Sequence, residues 1–199
     1  QAWYGISEQD LRAGNRTVNY AGTEKPGSPY DNETDNYWQD HYQFFINHTG
    51  NGAFSWNTAF FMTNGKGYYE QYKADEPYSK YGVTGPGTTD DFIRQLWLKN
   101  RFYGNIYALH YKRKKTEATL GGSFTQYDGH HFGKLKWSAH GFTGSDTWYY
   151  LNAYKYDANV YLKQQTNLND RWSVYYDLQY RYVNYDIEGF SDNPGLHIL

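Results

Sequence analysis

The sequence predicts an all-β chain, an antiparallel transmembrane β-barrel segment with short periplasmic turns and long extracellular loops. Three observations lead there. Apolar and polar residues alternate with period two in six segments. Those segments fall into three pairs, each joined by a short polar or glycine-containing turn. Aromatic residues are abundant, with 24 Tyr, 11 Phe and 7 Trp in 199 residues, and several sit toward segment ends, where a ring with a polar handle suits a membrane interface. No run of about 18 apolar residues is present. That argues against a membrane helix and leaves membrane strands open, because their apolar residues occupy alternate positions.

Residues 1–35 are rich in Gly, Asn, Asp and Pro and read as loop or irregular chain. The first strand pair occupies 36–63. Tyr42, Phe44 and Ile46 share a face, TGNG turns the chain at 49–52, and Phe54, Trp56, Thr58, Phe60 and Met62 return on one face. The second pair, 102–127, sets Tyr107, Leu109 and Tyr111 on one face before a basic turn at Lys114 and Lys115. On its return, Ala118, Leu120, Gly122 and Phe124 alternate with Glu117, Thr119, Ser123 and Thr125. The third pair, 154–185, is the most regular: Tyr156, Ala158, Val160 and Leu162 alternate with polar neighbours, as do Val174, Tyr176, Leu178, Tyr180 and Tyr182. Between the pairs lie two expected long loops, 64–101 and 128–153.

Composition narrows the chemistry. With 19 Lys and Arg against 21 Asp and Glu, the net charge is -2, so no nucleic-acid partner is expected. The HYKRKK run at 110–115 reads as a basic turn. Cysteine is absent, which removes disulfides, thiolate metal sites and cysteine nucleophiles. No Ser/His/Asp arrangement is identifiable, and scattered carboxylates do not define a glycosidase pair, so neither enzyme activity nor a cofactor is expected.

Five blocks carry a more specific likeness: NYWQDHYQ (36–43), GKGYYEQYK (65–73), WLKNRFYG (97–104), TLGGSFTQYDGHHFG (119–133) and LQYRYVNYDIEG (178–189). Together they resemble the barrel of TonB-dependent outer-membrane receptors of the Bacteroidetes type. The resemblance implies a fragment of a longer receptor, lacking the plug, whose parent binds a ligand and takes it up across the bacterial outer membrane. Its implied partners are a TonB complex acting through parts absent from this chain, a surface lipoprotein, the lipid bilayer and an unknown nutrient ligand. The same alternation also fits a soluble or surface-exposed β-sheet binding module for glycans or another ligand.

Candidate binding residues are Tyr68, Tyr69 and Tyr72 in the first expected loop, and Asp128, His130, His131, Trp137, Trp148 and Tyr149 in or beside the second. Aromatic faces stack on sugar or chelate rings while carboxylates and amides direct the bonds; loop-on-loop packing is the alternative. YDGHHFG, 127–133, reads first as a strand-exit turn, with Asp128 capping it, Gly129 bending it and Phe132 pinning it. Ligand contact comes second. No metal site is assigned, and His130 and His131 are only weak candidates. Adjacent side chains on a strand point to opposite faces, so they converge on one ion only if the chain turns at Gly129 or Gly133.

Overall fold

A computed structural model describes residues 4–191, with side chains through residue 189. A short helix, α1 (Glu8–Arg12), precedes β1 (Asp35–Thr49), β2 (Phe54–Pro77), β3 (Thr89–Arg113), β4 (Thr116–Ser138), β5 (Thr147–Asn167) and β6 (Ser173–Ser191). Every strand pairs antiparallel with its sequence neighbour, giving one sheet in the order β1-β2-β3-β4-β5-β6.

The sheet is open. β1 and β6 are its two edges and do not pair with each other, so the described residues form a six-stranded open sheet and not a closed transmembrane barrel. This corrects the fold expectation and what the receptor resemblance brought with it. TonB-dependent uptake works by gating a lumen, and a lumen needs a closed wall; an open sheet encloses none. The transport role, the outer-membrane placement and the implied TonB complex, lipoprotein and bilayer partners therefore have no support in this fold. Among the described residues no helix is long and apolar enough to cross a membrane.

The two expected long loops are mostly strand. Residues 64–77 and 89–101 continue β2 and β3, while 128–138 and 147–153 belong to β4 and β5. Connections of 78–88 and 139–146 remain, the first containing a 3-10 turn at Tyr78–Tyr81. YDGHHFG thus lies inside β4 and is not an exit turn. Its glycines were misleading because they serve packing: neither adopts a positive φ. A Cβ on Gly129 would fall 2.5 Å from the Tyr127 ring, and one on Gly133 would fall 2.4 Å from the Trp148 ring. The aromatic rings need the space that a side chain would fill.

Register sorts the side chains onto two faces. The front face carries Trp38, Lys66, Lys99, His130 and Asn152 in one cross-strand row. Toward the short turns the same face becomes apolar and exposed, with Phe44, Phe60, Phe124, Val160 and Leu178. The back face holds Leu96, Leu98, His131, Tyr149 and Leu151. At the end with the longer connections, Tyr78, Tyr81, Val83, Phe92, Leu135, Trp148, Tyr149 and Leu151 form the buried core, with Leu96 and Ile187 packed on it. The N-terminal segment is tied to the same end of β2. Tyr30 donates to Glu70 Oε1 at 2.6 Å, and the Gly22 amide donates to the buried Glu33 at 2.9 Å. Glu33 in turn accepts from the Tyr69 hydroxyl at 2.9 Å.

Candidate functional site

Four aromatic residues from four adjacent strands line up across the front face. Tyr68, Trp97, Phe132 and Tyr150 are successive register partners. Their ring centroids are separated by 4.6, 5.8 and 5.7 Å. Strands about 4.8 Å apart bring directly opposed side chains within reach, so extended pairing alone builds this ladder. Trp97 and Phe132 lie within 3° of parallel with centroids 5.8 Å apart, an offset stack in which the rings overlap only in part. Trp38, on the edge strand, tilts toward Tyr68 at 6.4 Å and is 59% exposed.

Next to the ladder lies a groove of about 620 Å³, bounded by Trp38 and Trp97 and lined by Asp40, Asn64, Lys66, Lys99, Arg101, Asp128 and His130. Two successive rows of the register supply these groups: Trp38, Lys66, Lys99 and His130, then Asp40, Asn64, Arg101 and Asp128. Lys66 Nζ sits 5.4 Å from the Trp97 ring centroid, where the ring quadrupole attracts the ammonium. His130 Nδ1 lies 2.7 Å from Asn152 Oδ1. With the amide oriented so, Nδ1–H donates, and in the neutral ring Nε2 is left as an acceptor. His130 Nε2 is 4.0 Å from Asp128 Oδ1, too far for a hydrogen bond. Asp128 Oδ1 is itself buried and receives no hydrogen bond among the described residues. An acceptor withdrawn from solvent without a donor is uncommon, and here it lies in the lining of a groove.

The predicted residues separate by face and depth. Asp128 and His130 line the groove and Tyr68 belongs to the ladder beside it. His131 points to the back face, 3.4 Å from the Tyr127 hydroxyl, and burial followed by the neighbouring His130 lowers its pKa. The two histidines therefore do not converge, and among the described residues no group of three His, Asp or Glu side chains is placed to hold a metal. Tyr69 is turned into the Glu33 and Tyr4 network; burial first, then those two partners, raises its pKa beyond the ordinary phenol range. Tyr72 is buried with its hydroxyl on Asp91, and burial with that contact pushes its pKa up to about 12. Trp148 and Tyr149 are core residues, at 2% and 8% exposure. Trp137 is exposed, packs 6.5 Å from Tyr72 and lies outside the groove.

Sequence reasoning missed Trp38, Lys66, Trp97, Lys99 and Arg101 as site residues. The signal was present: Trp97, Lys99 and Arg101 are spaced i, i+2, i+4, which puts an aromatic ring and two cations on one face of a strand. Assigning 64–101 to a loop concealed that spacing. Compared with known proteins, the chain matches no family model, no curated protein and no solved structure.

Proposed function

We propose that this chain is a non-catalytic β-sheet binding module whose front face takes a saccharide. The observation that carries the reading is the groove that Trp38 and Trp97 line together with two polar rows, Lys66, Lys99 and His130 and then Asp40, Asn64, Arg101 and Asp128. A sugar ring has apolar C–H faces and a rim of hydroxyls. The exposed ring of Trp38 and the uncovered part of Trp97 suit the first. Asp40, Asn64, Asp128 and His130 suit the second. The rigid sheet holds these groups in place before the ligand arrives, which limits the ordering entropy of binding. Its groups bind and orient, and the function assigned to them is recognition.

The test is titration of the full chain with a panel of neutral and acidic oligosaccharides, followed by tryptophan fluorescence and calorimetry. Trp38→Ala and Trp97→Ala are expected to weaken binding roughly tenfold each, the scale of one lost aromatic contact. The urea midpoint of Trp38→Ala should stay near that of the parent, since Trp38 is exposed, whereas Trp97→Ala should also lower it, because the ring packs between Tyr68 and Phe132 and donates to Gln95 Oε1 at 3.0 Å. A panel with no binder, or unchanged affinity in both variants, overturns the reading.

A further inference from the structure

We infer that the saccharide carries anionic groups, carboxylate, sulfate or phosphate on the sugar, held by Lys66, Lys99 and Arg101; this rests on the binding reading above. The three cations come from adjacent rows of β2 and β3 and line the same groove. Lys66 and Lys99 are direct register partners, so two side chains of like charge stand opposite each other on one face, an unfavourable pairing unless something negative lies between them. Among the described residues none of the three has a carboxylate within ion-pair distance, whereas Lys73, Lys80, Lys134 and Arg181 are each paired. Arg101 is exposed and does not close on Asp128, although Asp128 is its register partner. Its guanidinium fork stays free for a planar, doubly hydrogen-bonded anion.

The groove's own charge is three cations, Lys66, Lys99 and Arg101, against two carboxylates, Asp40 and Asp128, an excess of one positive charge. A neutral glycan would leave the Lys66–Lys99 repulsion standing. An anionic group set between them relieves it, and the two carboxylates remain to take hydroxyl protons from the same sugar. The aromatic walls then distinguish such a ligand from a bare anion, which has nothing to stack.

The experiment uses the full chain with four probes: a sulfated tetrasaccharide, a neutral tetrasaccharide, inorganic sulfate, and vesicles of phosphatidylglycerol. The expected result is a preference of about tenfold or more for the sulfated over the neutral tetrasaccharide at low ionic strength, shrinking as salt screens the charges. Lys99→Gln with Arg101→Gln should abolish that preference, bringing the affinity for the sulfated sugar down to that for the neutral one, with the urea midpoint unchanged because both side chains are exposed; inorganic sulfate should bind far more weakly than the sulfated sugar. Equal affinity for the two sugars overturns the anionic assignment and leaves the saccharide reading standing. Tight binding of inorganic sulfate alone, or of the vesicles with no binding of either sugar, overturns both.

Discussion

Asp90 opens β3's core end with its side chain almost fully withdrawn from solvent, at 1% exposure. Four donors converge on it: the Tyr78 hydroxyl at 2.6 Å, and the His140 amide, the His140 Nδ1 and the Asp91 amide, each at 2.9 Å. Burial pushes this carboxyl's pKa up, but the hydrogen bonds from Tyr78 and His140 and the two amides outweigh it, so the net shift is downward. A carboxylate with a lowered folded pKa contributes stability that is fully present above its unfolded pKa, near 3.8, and is lost as pH falls through the folded value. The contact joins the 139–146 connection to the core, so its loss should loosen that connection first. Asp90→Asn replaces one accepting oxygen with a donor and removes the charge. It should destabilise the fold by roughly 1.5–3 kcal/mol at pH 7, the scale of hydrogen bonds to a buried charge. The gap from the parent should begin to narrow below pH 3.8, where Asp90 takes up a proton in the unfolded chain while the folded carboxylate stays ionised. Urea midpoints at pH 7 and pH 3 check this; a gap that is the same at both, or absent at pH 7, refutes the role given to the charge.

At the scale of elements, strands were legible and their ends were not. Alternation at 156–162 and 174–182 is regular because one face is apolar and the other polar, and there β5 and β6 follow the pattern. Period two breaks down at 64–77 and 128–138, where both faces are half-buried under loops, the N-terminal segment or aromatic rings. Polar and aromatic residues then occur on both sides, and glycines look like turns. Gly133 shows the physical reason: it sits opposite Tyr149 in the register, and the rings of Trp148 and Tyr149 lie across it. Only the fold reveals which neighbour occupies that space. Gly133→Ala should therefore destabilise the chain by about 1–3 kcal/mol, as overpacking of a filled site does, although its φ suits alanine. A thermal or urea midpoint unchanged by the substitution would show that the Trp148 and Tyr149 rings do not hold that space closed. The groove was half-legible for the same reason. Asp128 and His130 stood out as polar residues beside glycine, whereas Trp97, Lys99 and Arg101 gain meaning only when 97–101 is extended.

For the whole molecule, the open sheet leaves two long edges. β1 spans 15 residues and contains no Lys, Arg or Pro; β6 spans 19, and its single arginine, Arg181, is turned onto Asp157 of β5. β1 carries Asp35 and Asp40 and β6 carries Asp177, Asp186 and Glu188, but neither edge carries the lysines or prolines most used to keep unpaired backbone groups from finding another strand. Beside these edges the front face is apolar and exposed: Phe44 at 61%, Leu178 at 63% and Tyr180 at 67%. A contiguous exposed patch of that kind favours association, and here the edge backbone gives it direction. β1 and β6 run antiparallel to each other across an even number of strands, so β6 of one copy can receive β1 of the next with the same ladder geometry as the pairs inside the sheet. The expected behaviour in solution is a mass that rises with protein concentration in sedimentation equilibrium. Tyr180→Lys with Tyr182→Lys places two charges on the front of the edge strand and should shift the distribution toward the monomer. The groove should be spared, since it lies in the rows of Asn152 and Tyr154, whose β6 partners are Glu188 and Asp186. From Tyr182 to Asp186, in the nearer of those rows, is about 13 Å along a strand rising near 3.3 Å per residue. Saccharide affinity should thus be unchanged in the double variant while association falls. A parent chain that stays monomeric at all concentrations, or one whose association ignores both lysines, would show that the edges are already blunted by a means other than charge.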